Sequence, residues 1–151
     1  MLRRGGQGFG GNENEVLLIA LNDRAEPLSA RVELGYMSYD GSEQELKTTD
    51  FTVAPFDKSV ISSVPVPDEA RLFNGTVVAK PDSHEILAPV SWRHCAFSEA
   101  KIPKAEPKIV YNEVVGNDLR VTLAAASFAH AVHLNVPDKL RLSDHYFDML
   151  P

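Results

Sequence analysis

A single cysteine, Cys95, leaves no intrachain disulfide possible in 151 residues, so the fold must stand on its core alone. Either redox compartment suits such a chain. Aromatic side chains are few: 8% of residues, with one tryptophan, Trp92, which leaves little material for a broad ligand-stacking platform. Positive charge is also scarce, with 15 Lys and Arg against 21 Asp and Glu and a net charge of −6. An acidic chain lacks the basic footprint that nucleic acids require, and an anionic bilayer exerts no pull on it. Neither nucleic acid nor membrane is therefore expected as a partner. No run approaches the roughly 18–20 apolar residues of a membrane-crossing helix. No period of about 20–50 residues recurs, which excludes solenoids and propellers. The length fits one domain with one core.

The first residues, Met1-Leu2-Arg3-Arg4-Gly5-Gly6-Gln7-Gly8-Phe9-Gly10-Gly11, lack the apolar centre of a signal peptide. Two arginines among five glycines could be a fragment of an RNA-binding tail, but the acidic remainder opposes that. Residues 1–12 are expected to be a flexible linker or cloning remnant. The domain proper is expected over 13–151, as a piece excised from a longer protein.

Beyond residue 13, short apolar runs alternate with turn residues about every 8–12 positions, the rhythm of a β-sandwich. Residues 16–21 are apolar on both faces and suit a covered strand. Residues 30–39 alternate, with Ala30, Val32, Leu34 and Tyr36 on one face. Asp40-Gly41 then turns the chain into 45–53. Further strands are expected over 58–66, 73–80 and 84–93, the last at an edge or bulge because it contains Pro89. Two prolines, Pro103 and Pro107, mark 95–108 as an extended loop. Residues 108–115 and 119–125 make the clearest hairpin, closed by Gly116-Asn117-Asp118, with Leu119, Val121 and Leu123 turned inward. A last long strand is expected over 131–136. The total is roughly nine antiparallel strands with little or no helix, the short windows 68–72 and 124–131 being the only helix-like ones.

Three segments carry a family resemblance. Leu21-Asn22-Asp23, followed by Glu26-Pro27-Leu28-Ser29, resembles an opening strand and turn. Ser127-Phe128-Ala129-His130-Ala131-Val132-His133-Leu134 is similar to a penultimate strand. The closing decamer, Leu142-Ser143-Asp144-His145-Tyr146-Phe147-Asp148-Met149-Leu150-Pro151, is the closest in wording. Together they resemble the C-terminal immunoglobulin-like domain of glycoside hydrolase family 2 enzymes of the β-mannosidase type. The pattern departs in placing His145 where Asn is usual and in lacking a following Gly-Glu. The resemblance implies an immunoglobulin-like sandwich that is accessory to a catalytic barrel. It assigns structural roles to Asn22, Asp23, Ser143, Asp144, Tyr146 and Phe147. In the decamer, Ser143 and Asp144 can satisfy turn amides, and Tyr146, Phe147 and Leu150 can cover an open end of the sandwich.

Catalytic chemistry finds little support. Glycoside hydrolysis needs two carboxylates about 5–5.5 Å or 6.5–9.5 Å apart in a cleft. Only Glu113 sits in an apolar sequence context, sharing a strand face with Ile109, Tyr111 and Val115, and an edge or rim carboxylate is the plainer reading. A (β/α)₈ barrel takes about 250 residues, more than this chain holds. His130 and His133 are three apart, an odd spacing that puts them on opposite faces of a regular strand. His94 and Cys95 are adjacent and diverge. No metal ligand set is expected, no cofactor, and no nucleophilic role for Cys95. Trp92 shares parity with Ile86 and Val90 and reads as a core anchor rather than a sugar platform. Tyr39 and Tyr111 are the freer aromatic candidates for carbohydrate or interdomain contact, and Phe97 could dock on a neighbouring domain.

The reading is thus a non-catalytic accessory domain whose partners are the other domains of a parent glycosidase, and whose mark would be an exposed apolar patch. Two alternatives share the composition: an autonomous carbohydrate-binding module, and an unrelated sandwich interaction domain.

Overall fold

The computed structural model describes residues 1–4, 13–83, 87–137, 139–144 and 146–151. Among these lie eleven strands and one short helix. The all-β antiparallel class expected from the alternation is what the chain adopts, with eleven strands rather than roughly nine. The chain divides into two compact units, Met1–Ser38 with Glu43–Ala100, and Tyr39–Ser42 with Lys101–Pro151. The stretch 13–151, expected as one domain, is divided between them.

The first unit is a sandwich of two sheets. One has the order β1 (Leu2–Arg4), β2 (Glu15–Asn22), β5 (Asp57–Pro65). The other runs β4 (Gln44–Val53), β3 (Leu28–Ser38), β6 (Gly75–Pro81), β7 (Val90–Trp92). Every pairing is antiparallel. Side chains on one face of a strand recur every second residue. That period puts Val16 and Leu18 of β2, Val32 and Leu34 of β3, and Val77 and Ala79 of β6 into one buried cluster between the sheets. Leu17 and Ile19, on the opposite face of β2, are buried as well, as a strand covered on both sides requires. The covered stretch ends before Leu21, which is exposed. Leu2 lies within the segment expected to be a linker, yet pairs with Leu18 as part of an added edge strand. The rest of that segment, 5–12, lies outside the described residues.

Central strand β3 pairs on both sides, Tyr36 opposite Glu45 and Val77. Helix α1 (Glu69–Asn74) takes the place of the first residues expected in a strand over 73–80. Its start is legible: Asp68 caps it by accepting from the Arg71 amide at 2.9 Å, with Glu69 in the first turn. From α1, Arg71 lies over the Tyr36 ring at 3.9 Å and reaches Glu43 at 2.8 Å and Glu45 at 3.0 Å. The hydrogen bond to Glu45 leads the causes that raise its pKa above the ordinary value. Pro89 stands just before β7, which is an edge strand as that proline demands. His84 and Ile86, expected on the same strand, lie outside the described residues.

The second unit is built from two ribbons. β8 (Lys108–Val115) and β9 (Asp118–Ala124) form the hairpin read from the sequence, turned at Gly116, whose φ of +65° a glycine adopts without steric cost. β10 (Ala129–Val132) and β11 (Phe147–Met149) pair antiparallel, and the strand expected over 131–136 is shorter and starts earlier. Ala131 takes a φ of +51° where the ladder is irregular, which ends regular pairing. Phe128 and Tyr39 are the unit's most buried large side chains, each 1% exposed. The Phe128 ring packs on Tyr39 at 5.2 Å, and its amide donates to the Tyr39 carbonyl at 2.7 Å. The window 124–131 runs from the end of β9 through a bend at 126–127 into β10 and forms no helical turn.

Candidate functional site

The expected contact residues separate into buried and open ones. Tyr39 is 1% exposed and packed on Phe128, so it is not the surface aromatic expected. The reason is a contact about ninety positions away in sequence, which local pattern cannot convey. Trp92 is half-buried against the inter-sheet core, and its carbonyl accepts from the Thr76 hydroxyl at 2.6 Å. That matches the anchor reading. Phe97 is half-buried under the Arg93 guanidinium, 3.2 Å from its ring centre, so its contact is made within its own unit. Cys95 is half-buried beside the Leu72 carbonyl. Tyr111 alone of the four is open, at 55%.

The motif residues differ among themselves in the same way. Asn22 is 3% exposed and acts as a clamp. Its Nδ2 donates to the carbonyls of Glu26, Ala54 and Val53 at 2.8, 3.0 and 3.2 Å, and its Oδ1 accepts from the Arg24 amide at 3.1 Å. Neighbouring Asp23 is exposed. Ser143 and Asp144 are exposed, and Phe147 is half-buried opposite Val132. Tyr146 is 68% exposed, so it does not cover an end of the sandwich as expected. Tyr146 stands in the bend just before β11, whose half-buried side is taken by Phe147 and Met149, with Asp148 on the other.

Half of the exposed large apolar side chains among the described residues lie on the β8–β9 hairpin. Register places Val114 opposite Leu119, Asn112 opposite Val121 and Ile109 opposite Leu123. The five apolar side chains share one face with Asn112. Val114 is 76%, Ile109 60% and Leu119 57% exposed. Leu119, Val121 and Leu123 do share a face as expected, with Val121 and Leu123 half-buried, but Leu119, beside the turn of the ribbon, is exposed rather than inward. The opposite face carries Tyr111, Glu113, Arg120 and Thr122. A bulge at Val110 moves Ile109 off the Glu113 side, where unbroken alternation had put it. Glu113 meets Arg120 at 3.2 Å and the Tyr111 hydroxyl at 3.4 Å. It is a rim carboxylate in an ion pair.

One arrangement went unread in the sequence. His130 Nδ1 and Asp148 Oδ1 are 2.7 Å apart, and the same oxygen accepts from the Ala131 amide at 3.1 Å. His133 stacks on Tyr146 with centres 5.0 Å apart and planes at 21°. Both histidines line one groove of about 400 Å³ with Ile102, Pro103, Pro107 and Val132. Regular alternation would separate them, and the left-handed Ala131 between them breaks it. Among the described residues, no three His, Cys, Asp or Glu side chains group as a metal ion needs.

Two antiparallel sheets enclosing one apolar core, followed by paired ribbons, define an all-β sandwich protein. The crystal structure of the β-D-mannosidase from Dictyoglomus thermophilum contains a similar fold, with a TM-score of 0.76 over 93% of this chain at 14% identity. This chain spans 17% of that enzyme's chain. No family model and no curated protein sequence matches it.

Proposed function

We propose that this chain is a non-catalytic accessory module of a larger glycoside hydrolase, of the family 2 β-mannosidase type, and that it docks on its parent through the β8–β9 hairpin. The observation that carries this is the open apolar face of Ile109, Val114 and Leu119. Exposed contiguous apolar surface rimmed by polar groups marks an interaction surface. The fold likeness to a β-D-mannosidase, of which this chain corresponds to about a sixth, supports the setting. Glu113, the one carboxylate in an apolar sequence context, is engaged with Arg120 on the outer side of a ribbon, which supports a structural role for it.

Two measurements test this together. The purified chain is expected to release no chromophore from aryl β-mannosides, β-galactosides or β-glucuronides. In sedimentation velocity it is expected to self-associate weakly as concentration rises, and the double variant Val114→Lys/Leu119→Lys is expected to sediment as a folded monomer. Turnover that falls on Glu113→Gln would make the chain an enzyme and overturn the reading. So would a double variant that no longer folds, because those side chains would then belong to a core.

A further inference from the structure

The β10–β11 ribbon carries a second kind of surface, and we infer that it is a binding site for one pyranose ring of a neutral glycoside. Tyr146 supplies the plate. One face of its ring rests on His133, 5.0 Å away and nearly parallel, which fixes its orientation, while 68% of the residue stays open. Asp148 and His130 supply the polar edge. Asp148 spends one oxygen, Oδ1, on both the His130 imidazole and the Ala131 amide. Its other oxygen, Oδ2, makes no hydrogen bond among the described residues. Tyr146 stands in the bend just before β11 and Asp148 within it, and their partners His133 and His130 line one groove. Beside them the groove under His130 and His133 has room for an aglycone or a second ring, about 400 Å³ lined chiefly by apolar side chains.

The ligand class follows from the combination. A sugar ring offers a C–H face, which suits a flat aromatic plate, and a hydroxyl edge, which suits a carboxylate oxygen beside an imidazole. A purely apolar ligand would cover Asp148 Oδ2 without pairing it, at a desolvation cost. An organic cation would meet a carboxylate already hydrogen-bonded to an imidazole. Pockets of this make, apolar with a few placed polar groups, are the usual form of small-molecule sites. The site involves neither face of the β8–β9 hairpin, so it stands or falls separately from the docking reading.

The test is an amide NMR titration of the full chain with methyl β-D-mannopyranoside and methyl β-D-glucopyranoside, with tetramethylammonium as a control cation. Saturable shifts are expected at His130, Ala131, His133, Tyr146 and Asp148, in the millimolar range, for at least one sugar. Tyr146→Ala is expected to weaken binding at least tenfold. Asp148→Asn keeps an oxygen for the Ala131 amide and so retains the ribbon, and is expected to weaken binding several-fold. A flat response at tens of millimolar sugar overturns the inference. So does binding untouched by Tyr146→Ala, a site centred on Trp92 or Tyr111, or a response to the cation in place of the sugars.

Discussion

The two units handle the same raw material, alternating β-strands, in opposite ways. In the first, Val16, Leu18, Val32, Leu34, Val77 and Ala79 face each other across two sheets and are lost to solvent. In the second, Leu119, Val121 and Leu123 alternate just as cleanly, yet Leu119 stands open on a two-stranded ribbon, with Ile109 and Val114 across from its strand. Burial of an apolar side chain is worth about 1.5–3 kcal/mol, so the first unit gains stability from its pattern while the second presents its pattern to a partner. Alternation is therefore a statement about sharing a face. What covers that face is decided by whether a second layer arrives.

The largest expected effects test whether each unit has a core of its own. Leu34→Ala should cost about 2–5 kcal/mol, read from denaturant unfolding followed by the fluorescence of Trp92, which packs on that core. Phe128→Ala should cost the second unit about 3–5 kcal/mol, read from amide exchange in β10 and β11. A loss below about 1 kcal/mol at Phe128 would erase the distinction between a core and a ribbon there, since deletions of that size are ordinary for surfaces.

Next comes the clamp at the end of the first unit's sandwich. Asn22→Ala leaves the buried Val53 carbonyl and its neighbours unpaired, at about 1–3 kcal/mol, measurable by urea unfolding. An Asn22→Asp variant should not rescue it, because a carboxylate cannot donate to carbonyls.

The lysine pair on the hairpin, Val114→Lys with Leu119→Lys, sharpens the contrast by its small effect. Stability should change by no more than about 0.5 kcal/mol, as at other surface positions. The same thermal-melt comparison with lysine at Leu34 should show a folded state lost altogether.

The smallest effect is electrostatic. Arg31 donates to Asp50 at 2.7 Å, and that hydrogen bond first, then its charge, holds the Asp50 pKa below the ordinary value. A depressed acid pKa adds stability above the unfolded value, about 3.9, that is lost as pH falls through the folded one. Both side chains are more than half exposed, so the contribution is minor. Melting temperature against pH for wild type and Asp50→Asn should therefore differ only slightly above about pH 4, and the two curves should converge as pH falls below it.

Much of this was legible in the chain. The β3 alternation, the Asp40-Gly41 turn, the β8–β9 hairpin and the edge position after Pro89 follow from local chemistry. Three of the features that the same rules misplaced share a nonlocal or irregular cause. Tyr39 follows a strand and precedes a turn, and only Phe128 makes it core. Ile109 changes faces through one extra residue at Val110. His130 and His133 share a groove because Ala131 leaves the extended region. The pairing of Asp148 with His130 had no signal of its own beyond two polar residues in strands that proved to be partners.

The most direct measurement is the access of a soluble gadolinium chelate to the methyl groups of the labelled chain, followed by NMR. The methyls of Ile109, Val114 and Leu119 should relax strongly, and those of Leu34, Val77 and Val16 hardly at all. If Val114 and Leu119 prove as protected as Leu34 in dilute monomer, the hairpin's apolar face is already covered, and it cannot be the docking surface of an accessory module.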